Sequence, residues 1–411
     1  MMATDSTTWE RVPIVDLCAE HVDCVNRTAP VVDEPTPFKM IRTTNVRNGF
    51  IDTDNVRYVT EETYKRWTRR LVPKRGDVIL TREAPLGGAG KVRTDDLIFL
   101  GQRLYHFRPD PKKLDADFLL YALMAPDLQG QIMALGSGST VEHMRLGDIP
   151  SLEIEAPTLS VQRRIGGILS AYDELIENNQ RRIKILEEMA RSLYREWFVY
   201  FRFPGHNKVK MVHSFLGPTP QGWDVKKLGE VAEVNRAQIN PRVAPSEVHY
   251  IDISSVSPGQ VDTITTYLFS KAPGRARRIV QHGDILWSCV RPNRRSHALV
   301  MQPDLNTIAS TGFAVLTATK VPFTFLYFAT TTDDFVTFLT NSATGSAYPA
   351  VTAKTFEDAV LLIPLAHLLK KFGETTVPMA EQIHILQRQT KNLRRTRDLL
   401  LPRLLSGQIA A

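Results

Sequence analysis

Gly76-Asp77-Val78-Ile79-Leu80 returns 207 positions later as Gly283-Asp284-Ile285-Leu286-Trp287. Gly138-Ser139-Thr140 is answered by Gly345-Ser346-Ala347, and Pro157 by Pro364, at the same offset. A repeat of this length points to two similar globular units. Working outward from the first copy, Val78-Ile79-Leu80-Thr81, Leu97-Ile98-Phe99-Leu100 and Leu104-Tyr105-His106-Phe107 read as strands. A helix opens at Asp117-Phe118-Leu119-Leu120, with Asp117 as the expected cap. The second copy keeps the order: strands at Gly283–Ser288 and Gly312–Leu316, then a helix from Phe323.

After each copy the period changes. Tyr172, Ile176, Asn179, Ile183, Leu186, Ala190, Leu193 and Trp197 are spaced alternately by four and three residues. Such a stripe seats one helix against one partner, as in a coiled coil. Adding the offset gives Met379, Ile383, Leu386, Thr390, Leu393, Arg397, Leu400 and Leu404, of which six are apolar. A helix from Ser160 to Phe198 would span roughly 58 Å at about 1.5 Å per residue. With a second globular unit at its far end, the later helix has to return antiparallel to bury its stripe. The expected fold class is therefore α+β: two mixed α/β domains separated by long helices that form an antiparallel coiled coil, with pseudo-twofold symmetry. Asn179 is the polar position that either sets register or faces water.

The chain has 411 residues, enough for two or three cores, with ordinary apolar (43%) and charged (23%) fractions. Lys and Arg exceed Asp and Glu by seven, a mild basicity. Cys18, Cys24 and Cys289 form neither a disulfide framework nor a metal cluster, so reduced thiols in the cytoplasm are expected. No signal peptide or membrane span is expected, and Ala359–Ala366 reads as a buried strand reaching a turn.

Motifs for chemistry are missing. Gly87-Gly88-Ala89-Gly90-Lys91 has the wrong glycine spacing for a phosphate loop and is followed by Val92, so a glycine-rich hairpin is expected. There is no G-x-G-x-x-G after a strand, no G-x-S-x-G, no H-E-x-x-H and no repeated Cys/His spacing. His21, His106 and His143 sit in unrelated contexts. Glu174, Glu177, Glu187 and Glu188 alternate with Arg181, Arg182, Lys184 and Arg191, which makes helix-face ion pairs. The chain reads as a binder, with no catalytic residue and no metal site.

The basic residues suggest what is bound. Phe38–Arg47 brings Lys39, Arg42, Thr43, Asn45 and Arg47 together, with Arg82 and Arg103 further along. In the other half Arg275, Arg277 and Arg278 precede the Gly-Asp strand, and Ser288, Arg291, Asn293, Arg294 and Arg295 follow it. Arg forks onto guanine, Asn onto adenine, and Lys or Ser reach phosphates. The loops at Gly136–Thr140 (Ser139, Thr140) and Thr344–Tyr348 (Tyr348) can bring backbone N–H groups to phosphate or simply turn the chain.

Leu175-Ile176-Glu177-Asn178-Asn179-Gln180-Arg181-Arg182-Ile183, running through Leu186–Ala190 into Leu193-Tyr194-Arg195-Glu196-Trp197-Phe198, is the most specific stretch. With Phe201–His206, Pro220-Gln221-Gly222-Trp223 and Leu401–Ile409, it resembles the specificity subunits of type I restriction–modification systems over essentially the whole chain. The resemblance implies target-recognition domains at 1–158 and 223–370, conserved helical regions at 159–203 and 371–411, and a linker at 204–222. It implies that each recognition domain reads half of a split, asymmetric DNA site while the helices act as a ruler, and that the subunit is not an enzyme. The implied partners are double-stranded DNA and two modification subunits that bind S-adenosylmethionine and methylate adenine. Two restriction subunits carrying ATP and Mg can join, and this chain binds no cofactor itself. Two departures stand out. Ala347-Tyr348-Pro349 replaces a simple polar continuation, and Trp9-Glu10-Arg11-Val12-Pro13 lacks the lead seen before Trp223. The alternative is a two-domain protein-binding scaffold without specific DNA recognition.

Overall fold

A computed structural model describes residues 9–138, 142–214 and 216–410. The chain divides into two compact units, Met1–Asn178 with Gln389–Ala411, and Asn179–Arg388. Both units have the same framework, for the same physical reason in each.

In the first unit the all-buried strand Val78–Arg82 lies between Leu104–Pro109 and Leu86–Lys91, with Cys18–Asp23 beyond, all antiparallel. A strand without a polar alternation needs cover on both faces. Helix Ala116–Met124 supplies it with Phe118, Leu119, Leu120 and Leu123. Its cap is Asp115, not Asp117: the Asp115 carboxylate accepts from the Asp117 and Phe118 amides. Asp117 instead pairs with Lys91. A smaller sheet joins Phe38–Ile41 in parallel to Leu97–Leu100, and Glu10–Pro13 pairs with Glu153–Ala156.

Leu86–Lys91 is an edge strand of the four-stranded sheet and forms a hairpin with Val78–Arg82, as the glycine spacing suggested. Its glycines make room for a neighbouring hairpin, Val46–Arg47 with Phe50–Ile51. A Cβ on Gly90 would lie 2.7 Å from the Phe50 carbonyl oxygen. That hairpin turns through Asn48-Gly49 at φ values of 54° and 84°, left-handed conformations that Asn and Gly tolerate best.

The second unit repeats the plan. Ile285–Ser288 lies between Phe313–Ala318 and His297–Leu299, with Ala232–Val234 outside. Glu247–Ile251 runs parallel to Thr307–Ser310, Asp224–Lys227 pairs with Val360–Ile363, and helix Phe323–Thr330 covers the core. The stretch 204–222, expected as a linker, contains a pair of antiparallel strands, Met211–Ser214 with Gly217–Pro220.

The long helices are Leu159–Tyr194, continued by a wide turn at Arg195–Val199, and Ala366–Leu405. Their first residues are again 207 apart. The second starts ahead of the expected 371 and runs through Pro378. A proline inside a helix removes one backbone hydrogen bond, so side-chain packing carries this turn. The helices pair antiparallel within each unit. In the first, Ile165 and Leu169 share a core with Leu401 and Leu404, and Asp173 meets Arg397. In the second, Phe372 packs against Tyr194, Trp197 and Phe198 at ring centroid distances of 6.1, 6.2 and 5.0 Å.

Along the stripe, Ile176, Asn179, Ala190, Trp197, Leu386 and Leu404 are buried. Tyr172, Ile183, Leu186, Leu193, Met379, Ile383, Leu393 and Leu400 are half-buried. The two polar positions of the second helix, Thr390 and Arg397, are buried as well. The helix ends are wider than a narrow seam, because they also cover the sheets of their own unit. Gly407, at φ 68°, ends the second helix under the ring of Trp9. Among the described residues no helix is long and apolar enough to cross a membrane.

Candidate nucleic-acid interface

The exposed basic surface of the second unit is built by backbone geometry. After strand Ile285–Ser288, Arg291 (φ 50°) and Arg295 (φ 55°) bracket a single tight turn, Pro292–Arg294. Two left-handed residues reverse the chain on either side of that turn and push Asn293 and Arg294 into solvent. The loop rests on its neighbour at 344–350. The Arg291 amide donates to the Pro349 carbonyl at 2.7 Å, and Val290 and Thr344 both bridge Ala350. Arg291 donates to the Ala347 carbonyl at 3.2 Å, and its guanidinium lies 4.8 Å from the centre of the Tyr348 ring. Tyr348 is 70% exposed. An arginine braced by an aromatic ring keeps donors available at low entropic cost. Tyr348, where the family-like pattern breaks, thus carries a positioned cation.

The remaining candidates of this unit are committed elsewhere. Arg275 pairs with Asp252 at 2.7 Å, and Arg295 with Asp333. Arg277 lies 5.1 Å over Phe269 and donates to the Ala276 carbonyl. Arg278 is half-buried, its Nε lacks a partner, and burial pulls its pKa down. Ser288 is buried and donates to the Val290 carbonyl. It is a strand-end fastening and does not reach a ligand.

The first unit places equivalent loops together with different side chains. Glu83 and Ser137 both bridge His143, the same three positions as Val290, Thr344 and Ala350. Ala84, at φ 46°, stands where Arg291 stands in the second copy. Ser139 and Thr140 lie outside the described residues. Arg47 is exposed beside the Asn48-Gly49 turn and donates to the Thr44 carbonyl at 2.9 Å. Arg103, at φ 68°, pairs with Glu83 at 3.0 Å, and Lys39 with Asp96 at 2.6 Å. Thr43 donates to the Ala84 carbonyl at 2.8 Å, tying the two loops to each other.

Three candidates here are structural. Asn45 is buried, its amide oxygen accepting from the Arg42 amide and its nitrogen donating to the Asn55 carbonyl. Arg82 is 5% exposed and donates to the Met144 carbonyl at 2.9 Å. Arg42 is half-buried and points at the Asn55 carbonyl. A donor already spent on buried backbone is unavailable to a base edge. The Asn48-Gly49 turn was missed although its dipeptide is a plain hairpin signal.

At the start of each central strand, the end opposite these loops, sits a buried aspartate. Asp77 receives two hydrogen bonds from Arg108, at 2.9 and 2.8 Å, and lies 2.6 Å from His106 Nε2. Burial alone would raise its pKa, but these partners outweigh it and the net shift is downward. Asp284 accepts from Thr317 Oγ1 at 2.7 Å and from the Gln281 amide, and burial outweighs these and the more distant Arg236 to raise its pKa. His106 is thereby engaged as a structural partner. Among the described residues no group of His, Cys, Asp and Glu is placed to hold a metal ion. All three cysteines are free thiols, and burial pushes Cys289 up to about 11.

Residues 7–188 match the family described as type I restriction modification DNA specificity domain. The chain is 23% identical to the type I restriction enzyme MjaIX specificity subunit of Methanocaldococcus jannaschii over 359 residues, 86% of this chain and 82% of that one. It is 20% identical to the MjaVIII specificity subunit of the same organism, covering 98% of this chain and 93% of the relative. Its fold is similar to that of the S subunit of the type I restriction–modification system from M. genitalium, at a TM-score of 0.63, 16% identity and 98% coverage of both chains. The matched residues, the two relatives and the similar fold agree with the repeat and its helices: residues 7–188 match the type I restriction modification DNA specificity domain, and most of the chain is similar to type I specificity subunits.

Proposed function

We propose that the chain recognises a split, asymmetric DNA site, one part with each globular half, and presents it to two adenine-modifying subunits. The observation that carries this reading is the paired loop surface of the second unit, where Arg291, Asn293, Arg294 and Tyr348 stand out from buried strands. The matching loop pair at 83–85 and 137–143 bears different side chains, as two readers of unlike half-sites require. Phosphate contacts fix the position of such a surface and a few forked side chains discriminate bases. The long helices act as the ruler for the unspecified spacer between half-sites.

Catalysis belongs to partners in this reading. The modification subunit holds S-adenosylmethionine and takes the adenine out of the stack, a step that needs an enclosed pocket. Two restriction subunits, with ATP and Mg, complete a cleaving assembly in the cytoplasm. The test is methylation mapping across a genome that carries this chain with its modification partner. A bipartite adenine-containing motif with a fixed spacer is expected. A continuous motif, or methylation without sequence preference, overturns the reading.

A further inference from the structure

Met211–Ser214 and Gly217–Pro220 pair with each other and, among the described residues, with no third strand. Their register decides which backbone groups face outward. Met211 stands opposite Pro220, and His213 opposite Pro218. Proline has no N–H, so neither pair can exchange two hydrogen bonds. Bonded and non-bonded pairs alternate along an antiparallel ladder. The bonds therefore run through Val212 with Thr219 and Ser214 with Gly217. The Gln221 amide, donating to the Lys210 carbonyl at 2.8 Å, continues the same alternation.

The two outer edges differ in chemistry as a result. Beside Gly217–Pro220 the outward positions are Pro218 and Pro220, which offer no donor. Beside Met211–Ser214 they are Met211 and His213, each with an N–H and a C=O directed away from the hairpin. Proline and charged side chains are the devices that keep a strand edge from pairing. Here the prolines guard one edge, and the other strand carries no Asp, Glu, Lys or Arg.

That second edge is uncovered. Among the described residues no backbone hydrogen bond from outside the hairpin reaches Met211 or His213. Both residues are exposed, Met211 by 51%. Val212 and Leu216 are exposed as well, so the hairpin leaves apolar surface in water. Thr219 and Pro220 are buried, which makes the proline-bearing strand the seated one.

The charge around the edge has a single sign. Between Glu196 and Asp224 the chain contains no Asp or Glu, against Arg202, Lys208 and Lys210. Arg202 is neutralised by Glu196, with its Nε at 2.7 Å from the carboxylate. Lys208 and Lys210 are exposed and make no ion pair among the described residues.

We propose that the outer edge of Met211–Ser214 is a docking site for an extended, acidic segment of another protein chain, which adds a third strand to the hairpin. Met211 and His213 supply two backbone donors and two acceptors, Lys208 and Lys210 select carboxylates, and the apolar side chains cover alternate residues of the segment. The added strand also steadies the hairpin, since two strands alone are marginal in water. A nucleic-acid backbone would use the lysines and leave the open edge and the apolar surface unserved. A second copy of this chain would bring its own lysines to the same edge, where like charges repel.

The test uses the full chain with labelled backbone amides and a capped peptide of alternating glutamate and valine. A lysine–valine peptide of the same length and a random duplex serve as comparisons. The glutamate peptide is expected to shift the Met211 and His213 amide signals, and the lysine peptide to bind at least about tenfold more weakly. His213→Pro copies Pro218: it removes one outward donor, leaves the ladder bonds in place and should weaken the glutamate peptide about tenfold. His213→Thr, which keeps the N–H, should bind as the parent does. Should the proline variant not fold, Lys208→Glu with Lys210→Glu carries the test and should exchange the preference between the two peptides. Unmoved Met211 and His213 signals, equal binding of the two peptides, or undiminished binding by His213→Pro overturns the proposal. So does displacement of the peptide by the duplex, or self-association that His213→Pro abolishes, which would assign the edge to nucleic acid or to a second copy.

Discussion

Arg397 donates to Asp173 at 2.5 Å across the seam of the long helices in the first unit, with both side chains out of solvent. The pair sits in an apolar stripe where aliphatic residues would pack at lower desolvation cost. Its partners explain its retention. Tyr121 from the recognition helix and Arg93 beside the sheet converge on the same carboxylate. Asp173 therefore joins three elements at one register, a geometry that a one-turn slip of either helix would break.

Arg397→Met leaves the Asp173 carboxylate buried with its strongest partner gone. We expect a loss of about 3–5 kcal/mol, read by urea denaturation of the first unit. A cost below about 1 kcal/mol would mean that Tyr121 and Arg93 suffice. Ala190→Met, which places the same residue at the equivalent position of the second unit, should not destabilise comparably, because no carboxylate waits there.

Asp77 and Asp284 occupy equivalent positions and should respond to pH with opposite sign. The pKa of Asp77 is lowered, so its contribution is present above about 3.9, the ordinary carboxylate value, and is lost as pH falls through its depressed one. That of Asp284 is raised, so its contribution is present in acid and is lost as pH rises from about 3.9 through the elevated value. Relative to the parent chain, Asp77→Asn should look worse as pH rises and Asp284→Asn better. Denaturation series of both variants that sloped the same way would contradict this.

Arg294→Ala and Arg82→Met separate surface from scaffold. Arg294 is exposed, and its loss should weaken binding to a cognate duplex. A phosphate contact would lower the salt dependence by about 0.9 in log–log slope, and a base contact would relax one position by about 1–3 kcal/mol. Arg82 is buried on the Met144 carbonyl, so its replacement should lower the melting temperature without changing the slope. Fluorescence anisotropy at several salt concentrations distinguishes the two.

Removing one heptad from each long helix at matching positions should shorten the spacer of the methylated motif while both half-sites keep their sequences. Methylation mapping reads this directly. An unchanged spacer in a folded complex would remove the ruler role.

Patterns that repeat along the chain were legible without coordinates. The 207-residue offset, the heptad stripe and the buried strands at Val78 and Ile285 all lie in local residue order, because side-chain periodicity follows from backbone geometry alone. The site was legible only in part. Arg291, Asn293, Arg294 and Tyr348 stand in one surface, whereas Asn45, Arg82 and Ser288 are spent on buried backbone groups. Residue type does not distinguish these cases, since an arginine serves a phosphate or a carbonyl equally well.

What the chain determined by itself was the duplication, the mixed α and β units and the helices that follow them, since each depends on neighbours a few positions away. Tertiary structure alone decided which cations remain available and that Asp173 and Arg397 meet in a buried ion pair whose counterparts in the second unit are both alanine. Those outcomes depend on groups brought together from hundreds of positions apart, as Asp173 and Arg397 are, where burial and partner supply set the chemistry of each side chain.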